Sequence, residues 1–277
     1  MNQPFSLSEQ TFVDMSVQYP LATYLHRILR KYDRPYFANH SIWPVMQDVI
    51  KSDQFEKLTT DEEVRWALIE ELTNAFQHVL YAQVIDTDND PNSAETPRRL
   101  AKMYVNELFE GRYQATPKIT AFPNDKPAQY EEAASGKSTP NNGDIYHFNN
   151  LLVVQSPFIS NCSHHHQTVR GIAYVGIIPG RKLIGLSKYT RLIQHIAARG
   201  TLQEELTIDI ADALQGHTES ADIAVVIFGR HGCCENRGIK SNNSQTSTAE
   251  MRGLFMKDGK LREEFYDNLK MMRNEQI

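Results

Sequence analysis

Two short segments hold all three cysteines of the chain, and each sets them beside histidine. In NCSHHHQTV, residues 161–169, Cys162 precedes His164, His165 and His166. In HGCCENRGI, residues 231–239, His231 precedes Cys233 and Cys234. Thiolate and imidazole suit zinc, and a catalytic zinc site takes three protein ligands while keeping one position open. Cys162 and His165, spaced Cys-x-x-His near the start of a strand, could supply two ligands from one turn. The third would come from the second segment if the two strands are neighbours. A closed structural zinc, or a buried cysteine beside solvent-facing histidines, stays open on these residues alone.

Cations are the second group with chemistry to offer. Arg99 and Lys102 are three apart and share a helix face, and Lys188 and Arg191 repeat the spacing. Arg237 follows the second cysteine segment. Each pair by itself reads as a solvated helix face. Near helix starts, where the backbone dipole also favours anions, such cations meet the needs of a polyphosphate. Glu204 sits three residues after Thr201 and is accounted for as part of a capping box, and Gln203 as a surface residue.

The rest of the chain must position these groups. Its 277 residues are 40% hydrophobic and 23% charged, enough to bury a sizeable core in one or two domains. A formal net charge of -5 leaves no basic face for nucleic acid. MNQPFSLSEQTFVDM lacks the basic and apolar regions of a secretory signal, and no apolar run is long enough for a bilayer. The expectation is a cytoplasmic protein with neither membrane nor nucleic-acid partners and no disulfide framework.

Residues 1–57 read as short helices and loops. DEEVRWALIEELTNAFQHVLYA has helical periodicity. A second helix follows, with Thr96 as N-cap, Pro97 at its first position and Gly111 as a stop. Residues 121–148 are rich in Pro, Gly, Asn and Ser and read as a long loop. LLVVQ, TVRGIAYVGIIP and DIAVVIFG are β-branched runs. Between the last two, SKYTRLIQHIAARG is predicted to start at a Ser187 cap and TLQEELTIDIADAL at a Thr201 cap. KLREEFYDNLKMM is an amphipathic terminal helix. The fold class is α+β, a largely antiparallel sheet packed by helices on one face.

Assembled in order, ETPRRLAKMYVNELFEG, NCSHHH, IPGRKLIGLSKYTRLIQHIAARGTLQEELT, HGCCENRGI and TSTAEMRGLF resemble GTP cyclohydrolase I, from about residue 58 to the C-terminus. About 20 residues of the long loop read as an insertion, and residues 1–57 lie outside the likeness. The resemblance implies a helical region over 58–115 and a tunnelling-fold catalytic domain over 116–277. That domain has an antiparallel four-stranded sheet with two helices inserted between strands. It also implies a homodecamer with active sites at subunit interfaces. The implied reaction is zinc-dependent hydrolysis of GTP at C8, with release of formate and formation of 7,8-dihydroneopterin triphosphate.

Carried over residue by residue, the family's Cys-Glu-His-His motif makes Cys162 and His165 ligands of Zn2+, and Cys233, two after a histidine, the third. His164 then lies near the ribose and His231 protonates N7. Gln203 and Glu204 read the guanine edge. Arg99, Lys102, Lys188, Arg191 and Arg237 hold the triphosphate, with Ser187 close to the substrate. Four residues depart from the pattern. Ser163 replaces the motif glutamate, and His166 stands where an apolar residue is usual, expected on the opposite strand face from His165. Cys234 and Glu235 follow the distal cysteine, the glutamate adding negative charge next to Arg237. Two other readings stay open: Ser163 leaves room for an enzyme of the same fold that acts on a different guanine nucleotide or stops after ring opening, and the long loop and unmatched residues 1–57 for a non-catalytic zinc- and nucleotide-binding assembly protein.

Overall fold

The structure, a computed structural model, describes residues 62–124 and 148–274. The reading of residues 1–57 and most of the loop at 121–148 lie outside them. Two compact units divide the chain, one ending at Ala115 and the other beginning at Thr116.

In the first unit, α1 (Glu62–Ala82) packs on α2 (Thr96–Met103) through Leu68, Ile69, Leu72 and Phe76 against Ala101 and Val105. α2 begins one residue earlier than expected: Glu95 holds the cap position and Thr96 is already helical. It does not run on to Gly111 either, because Tyr104–Leu108 widens into a π-turn and Glu110–Arg112 tightens into a 3₁₀ turn.

In the second unit the strands are β1 (Ala121–Pro123), β2 (Leu152–Asn161), β3 (Thr168–Ile178), β4 (Lys182–Ile184), β5 (Asp222–His231) and β6 (Thr246–Met251). The helices are α3 (Leu186–Ala197), α4 (Gln203–Thr218), the single turn α5 (Gly232–Glu235), α6 (Leu254–Lys257) and α7 (Gly259–Asn274). The main sheet is antiparallel in the order β2-β3-β5-β6, with α3 and α4 inserted between β3 and β5. The class is α+β.

Helices cover both faces of this sheet, not one. Side chains alternate along a strand, so an unbroken apolar run such as IAVVIF needs a cover on each side. Val175, Ile177, Val225 and Ile227 pack under Leu192 and Ile196 of α3 and Leu206 and Ile210 of α4. Their neighbours Tyr174, Ala224 and Val226 pack under Phe255, Phe265 and Leu269 of α6 and α7.

The start of the expected loop is in fact a strand, β1, paired with β4. Asn124, 1% exposed, follows it and joins the two ends of the segment. Its Nδ2 donates to the carbonyls of Phe148 (3.0 Å) and Gly180 (2.9 Å), and its Oδ1 accepts from the Phe148 N–H at 2.9 Å.

Candidate metal centre and its surroundings

β2 and β3 form a hairpin whose last pair is Asn161 with Thr168, so residues 162–167 are its turn. Two backbone bonds close that turn: Cys162 N–H to Gln167 O at 2.9 Å and His166 N–H to Cys162 O at 2.8 Å. His166 takes a left-handed φ of +51°, a conformation in which histidine is enriched among non-glycine residues. Cys162 and His165 therefore sit in a turn rather than on a strand. The expectation that His166 faces away from His165 by strand alternation does not apply.

On the other side of β3, Val169 pairs with His231, the last residue of β5. The chain then enters α5, which carries Cys233. The hairpin turn and α5 are thus side by side at one end of the sheet. The ligand atoms of Cys162, His165 and Cys233 all lie within 4.8 Å of one another. Ligands about 2.0–2.3 Å from a tetrahedral ion stand roughly 3.5–3.8 Å apart, so the three need only a small contraction to fit zinc.

Cys162 is buried and Cys233 packs against the same core cluster, while His165 is exposed. Burial pushes the Cys233 thiol up to about 11, and the neighbouring Cys162 and Cys234 sulfurs push the same way. A cation bound there displaces those protons, which makes metal uptake pH-dependent. The Cys234 sulfur is 4.0 Å from that of Cys233 and stands outside the three-ligand group.

His231 is held by a polar network buried under α4. Its Nε2 lies 2.8 Å from Gln203 Oε1. Gln203 is 5% exposed, and its Nε2 donates to Thr248 Oγ1 (3.1 Å), Thr246 O (3.2 Å) and Ile227 O at 3.4 Å. Thr207 Oγ1 extends the network to Thr248 Oγ1 at 2.6 Å. With the amide nitrogen facing three acceptors, Oε1 must be the acceptor for His231. That assigns the Nε2 proton to His231 and leaves Nδ1 as its second ring nitrogen. Burial lowers the pKa of His231, and the charges of Glu204 and Glu235 oppose that shift. Gln203 is therefore no surface residue. It orients His231, a role that nothing in its sequence neighbourhood signalled. Gly229 on β5 makes the room, since a side chain there would run into Gln203 Oε1.

Glu204, by contrast, is exposed and is not part of a capping box. α4 begins one residue later than expected. Leu202 is the cap residue, and Glu205 rather than Glu204 accepts its N–H at 3.4 Å. Glu204 takes no part in the cap, and its carboxylate stays available beside His231.

His164 is exposed in the hairpin turn with its ring centroid 6.2 Å from that of His165. Arg237 is exposed just past α5. Glu235 bears on Arg230 instead of Arg237, with its Oε1 2.7 Å from Arg230 Nη2.

The structure does not bring Ser187, Lys188 and Arg191 to the metal centre within one chain. They lie in the first turns of α3, which starts at Leu186 with Gly185, not Ser187, as its cap. The last residue of that helix, Ala197, accepts a 2.7 Å bond from Ser160, close to Cys162. Ten residues of helix rise about 15 Å, which puts the cation-bearing end at the far side of the sheet. Arg99 and Lys102 are exposed on α2 of the first unit, Lys102 within 6.0 Å of the Trp66 ring.

Comparison with known proteins bears on which chemistry this arrangement serves. The family model described as GTP cyclohydrolase I matches residues 72–270. The chain belongs to the GTP cyclohydrolase I family. It is 37% identical over 182 residues to GTP cyclohydrolase 1 of Aeromonas salmonicida (strain A449), covering 65% of this chain and 75% of that protein. It is 35% identical over 202 residues to GTP cyclohydrolase 1 of Vibrio vulnificus (strain YJ016), covering 73% and 84%. A solved structure of the archaeosine synthase QueF-Like in the apo form is 14% identical and covers 37% of this chain and 93% of that one, at a TM-score of 0.32. The chain is thus an enzyme of the GTP cyclohydrolase I type. Among the described residues no helix is long and apolar enough to cross a membrane. Of the departures, Ser163 lies exposed in the hairpin turn and Glu235 is engaged by Arg230.

Proposed function

We propose that this chain hydrolyses GTP at C8, releasing formate and forming 7,8-dihydroneopterin triphosphate, with Zn2+ held by Cys162, His165 and Cys233. The observation that carries this reading is the convergence of those three donors beside a His231 whose Nε2 is fixed by Gln203. Zinc in this set supplies Lewis acidity that brings the pKa of water toward neutrality.

The remaining work falls to the chain's own side chains. In its imidazolium form His231 delivers a proton to N7 of guanine from Nδ1, because the Nε2–H stays on His231 as the donor to Gln203 Oε1. Glu204, free of capping duty, accepts from N1–H and the 2-amino group of guanine, a bidentate demand that adenine cannot meet. With its amide spent on His231 and three acceptors inside the protein, Gln203 positions the acid rather than reading the base. His164 is placed toward the ribose. Arg99, Lys102, Lys188, Arg191 and Arg237 bind the triphosphate, with Ser187 close by.

The distance between the start of α3 and the metal centre supports a site shared between subunits of a tunnelling-fold homodecamer, each chain lending cations to a neighbour's metal. The domain reading is an extension over 1–57, a helical region over 58–115 and a catalytic domain over 116–277.

The test is to incubate the zinc-loaded protein with GTP and follow formate together with pterin fluorescence after oxidation. Both signals are expected. Formate without pterin points to an enzyme that stops after ring opening, the step that Ser163 in place of a carboxylate bears on, and the absence of both signals overturns the proposal. His231→Ala keeps the metal and loses turnover.

A further inference from the structure

The sheet face opposite the metal centre carries a second group of cations that the proposed reaction does not use. Arg170 of β3 and Arg230 of β5 are direct cross-strand partners. Their Cβ atoms stand about 4.5–5.5 Å apart on one face, a placement that is unfavourable for like charges unless something of opposite sign lies between them. Alternation puts both on the side of Tyr174 and Phe228, under α7.

From α7, Lys270 and Arg273 reach the same space, and the six residues line a cavity of about 730 Å³. Two of the cations have acidic neighbours: Glu235 is 2.7 Å from Arg230 and Asp267 is 2.9 Å from Lys270. Among the described residues neither Arg170 nor Arg273 has a carboxylate partner. Arg273 lies 4.3 Å from the Phe228 ring centroid, which orients its guanidinium without neutralising it.

An independent feature of the cavity wall points to a ligand. Tyr174 is 1% exposed, and among the described residues its hydroxyl has no hydrogen-bond partner. A buried hydroxyl without a partner is uncommon, and this one belongs to a residue that lines a cavity ringed by guanidinium groups. Burial pushes its pKa up, with Arg273 opposing, so it is a neutral donor near pH 7. Three guanidiniums, an ammonium and a phenol O–H, all donors, match the oxygens of a phosphate chain.

We propose that this cavity binds the oligophosphate group of a small anion at a site separate from the metal centre. The cations named for GTP lie on other elements, so this site stands whether or not the proposed reaction does.

The experiment titrates the full chain with sodium tripolyphosphate by calorimetry, in a Lys188→Ala/Arg191→Ala background that weakens the other cation group. Binding is expected to persist there and to weaken by about tenfold or more when Arg170→Ala and Arg273→Ala are added. Tyr174→Phe weakens it severalfold. Arg170→Ala alone raises the thermal midpoint of the ligand-free protein, by relieving the Arg170–Arg230 opposition, and shrinks the rise that tripolyphosphate produces. A generally destabilised variant would move both in other directions.

With the background cations restored, Arg170→Ala/Arg273→Ala leaves formate release from GTP within about twofold. ATP in place of tripolyphosphate separates a free phosphate chain (equal affinity) from a nucleotide (tighter), and either supports the site. The proposal is overturned if tripolyphosphate affinity ignores Arg170→Ala/Arg273→Ala, if binding vanishes with Lys188→Ala/Arg191→Ala alone, or if sulfate at matched ionic strength competes equally well.

Discussion

Replacing Gln203 separates two roles that look alike on paper. If it reads guanine, its loss weakens substrate binding. If it positions His231, its loss slows the chemical step. Gln203→Ala removes the 2.8 Å bond to His231 Nε2 and the donor that reaches Thr248, Thr246 and Ile227. Thr248 keeps Thr207 at 2.6 Å, so the imidazole is the group left most exposed to misorientation.

A hydrogen bond holding a partly buried ring is worth about 1–3 kcal/mol when its partner is left unmade. At about 1.36 kcal/mol per tenfold, kcat should fall roughly 5- to 150-fold with KM within about twofold. The same loss in a unit of this size lowers the thermal midpoint by roughly 2–10 °C. Gln203→Glu restores an acceptor for His231 and should recover much of kcat. It should not recover the midpoint, because an oxygen then faces the Thr246 and Ile227 carbonyls. The assay is steady-state formate release over a range of GTP concentrations. A variant with unchanged kcat and a raised KM refutes the positioning role and returns Gln203 to the guanine edge.

Three further outcomes are expected. Cys233→Ser should lose the metal and Cys234→Ser should retain it, measured by elemental analysis after dialysis; the reverse shows that the ligand assignment is off by one. Gly176→Ala puts a methyl 2.6 Å from Phe265 Cδ2, which is fully buried, and should cost about 1–3 kcal/mol in urea unfolding. No loss there means that α7 does not cover the sheet as described. His217 has its pKa held below the ordinary value of 6.5, first by burial and then by Lys182. The folded state then binds fewer protons than the unfolded chain. The stability His217 contributes is complete above 6.5 and is lost as pH falls through 6.5 toward the lowered folded value. His217→Asn should flatten the slope of unfolding free energy against pH over that window.

Much of the architecture was legible because its signals are local. Helical periodicity located α1, α4 and α7, and β-branched runs located β2, β3 and β5. Helix caps lie one residue from the expected position at Thr96 and Thr201 and two at Ser187, since a cap depends on backbone angles that a residue type only biases. β6 is mostly Thr, Ser, Ala and Glu and shows no apolar run, so TSTAEM revealed itself as a strand only through its pairing with β5. The same holds for β1, three residues inside a stretch read as loop.

The sequence by itself determined the chemical inventory: two thiols and an imidazole of metal-binding type, a second histidine ahead of Cys233, and cations at helical spacing. Donor identity is a property of each side chain and needs no fold to be read. Only the tertiary structure decided what stands next to what. Residues 162 and 233 are 71 positions apart, and their meeting depends on β3 pairing with both β2 and β5. Gln203 and His231 meet because α4 crosses over the end of β5, a contact that no local pattern encodes. Arg170 and Arg230 face each other across two strands for the same reason: register is set by the whole sheet, and only register tells which residues share a face.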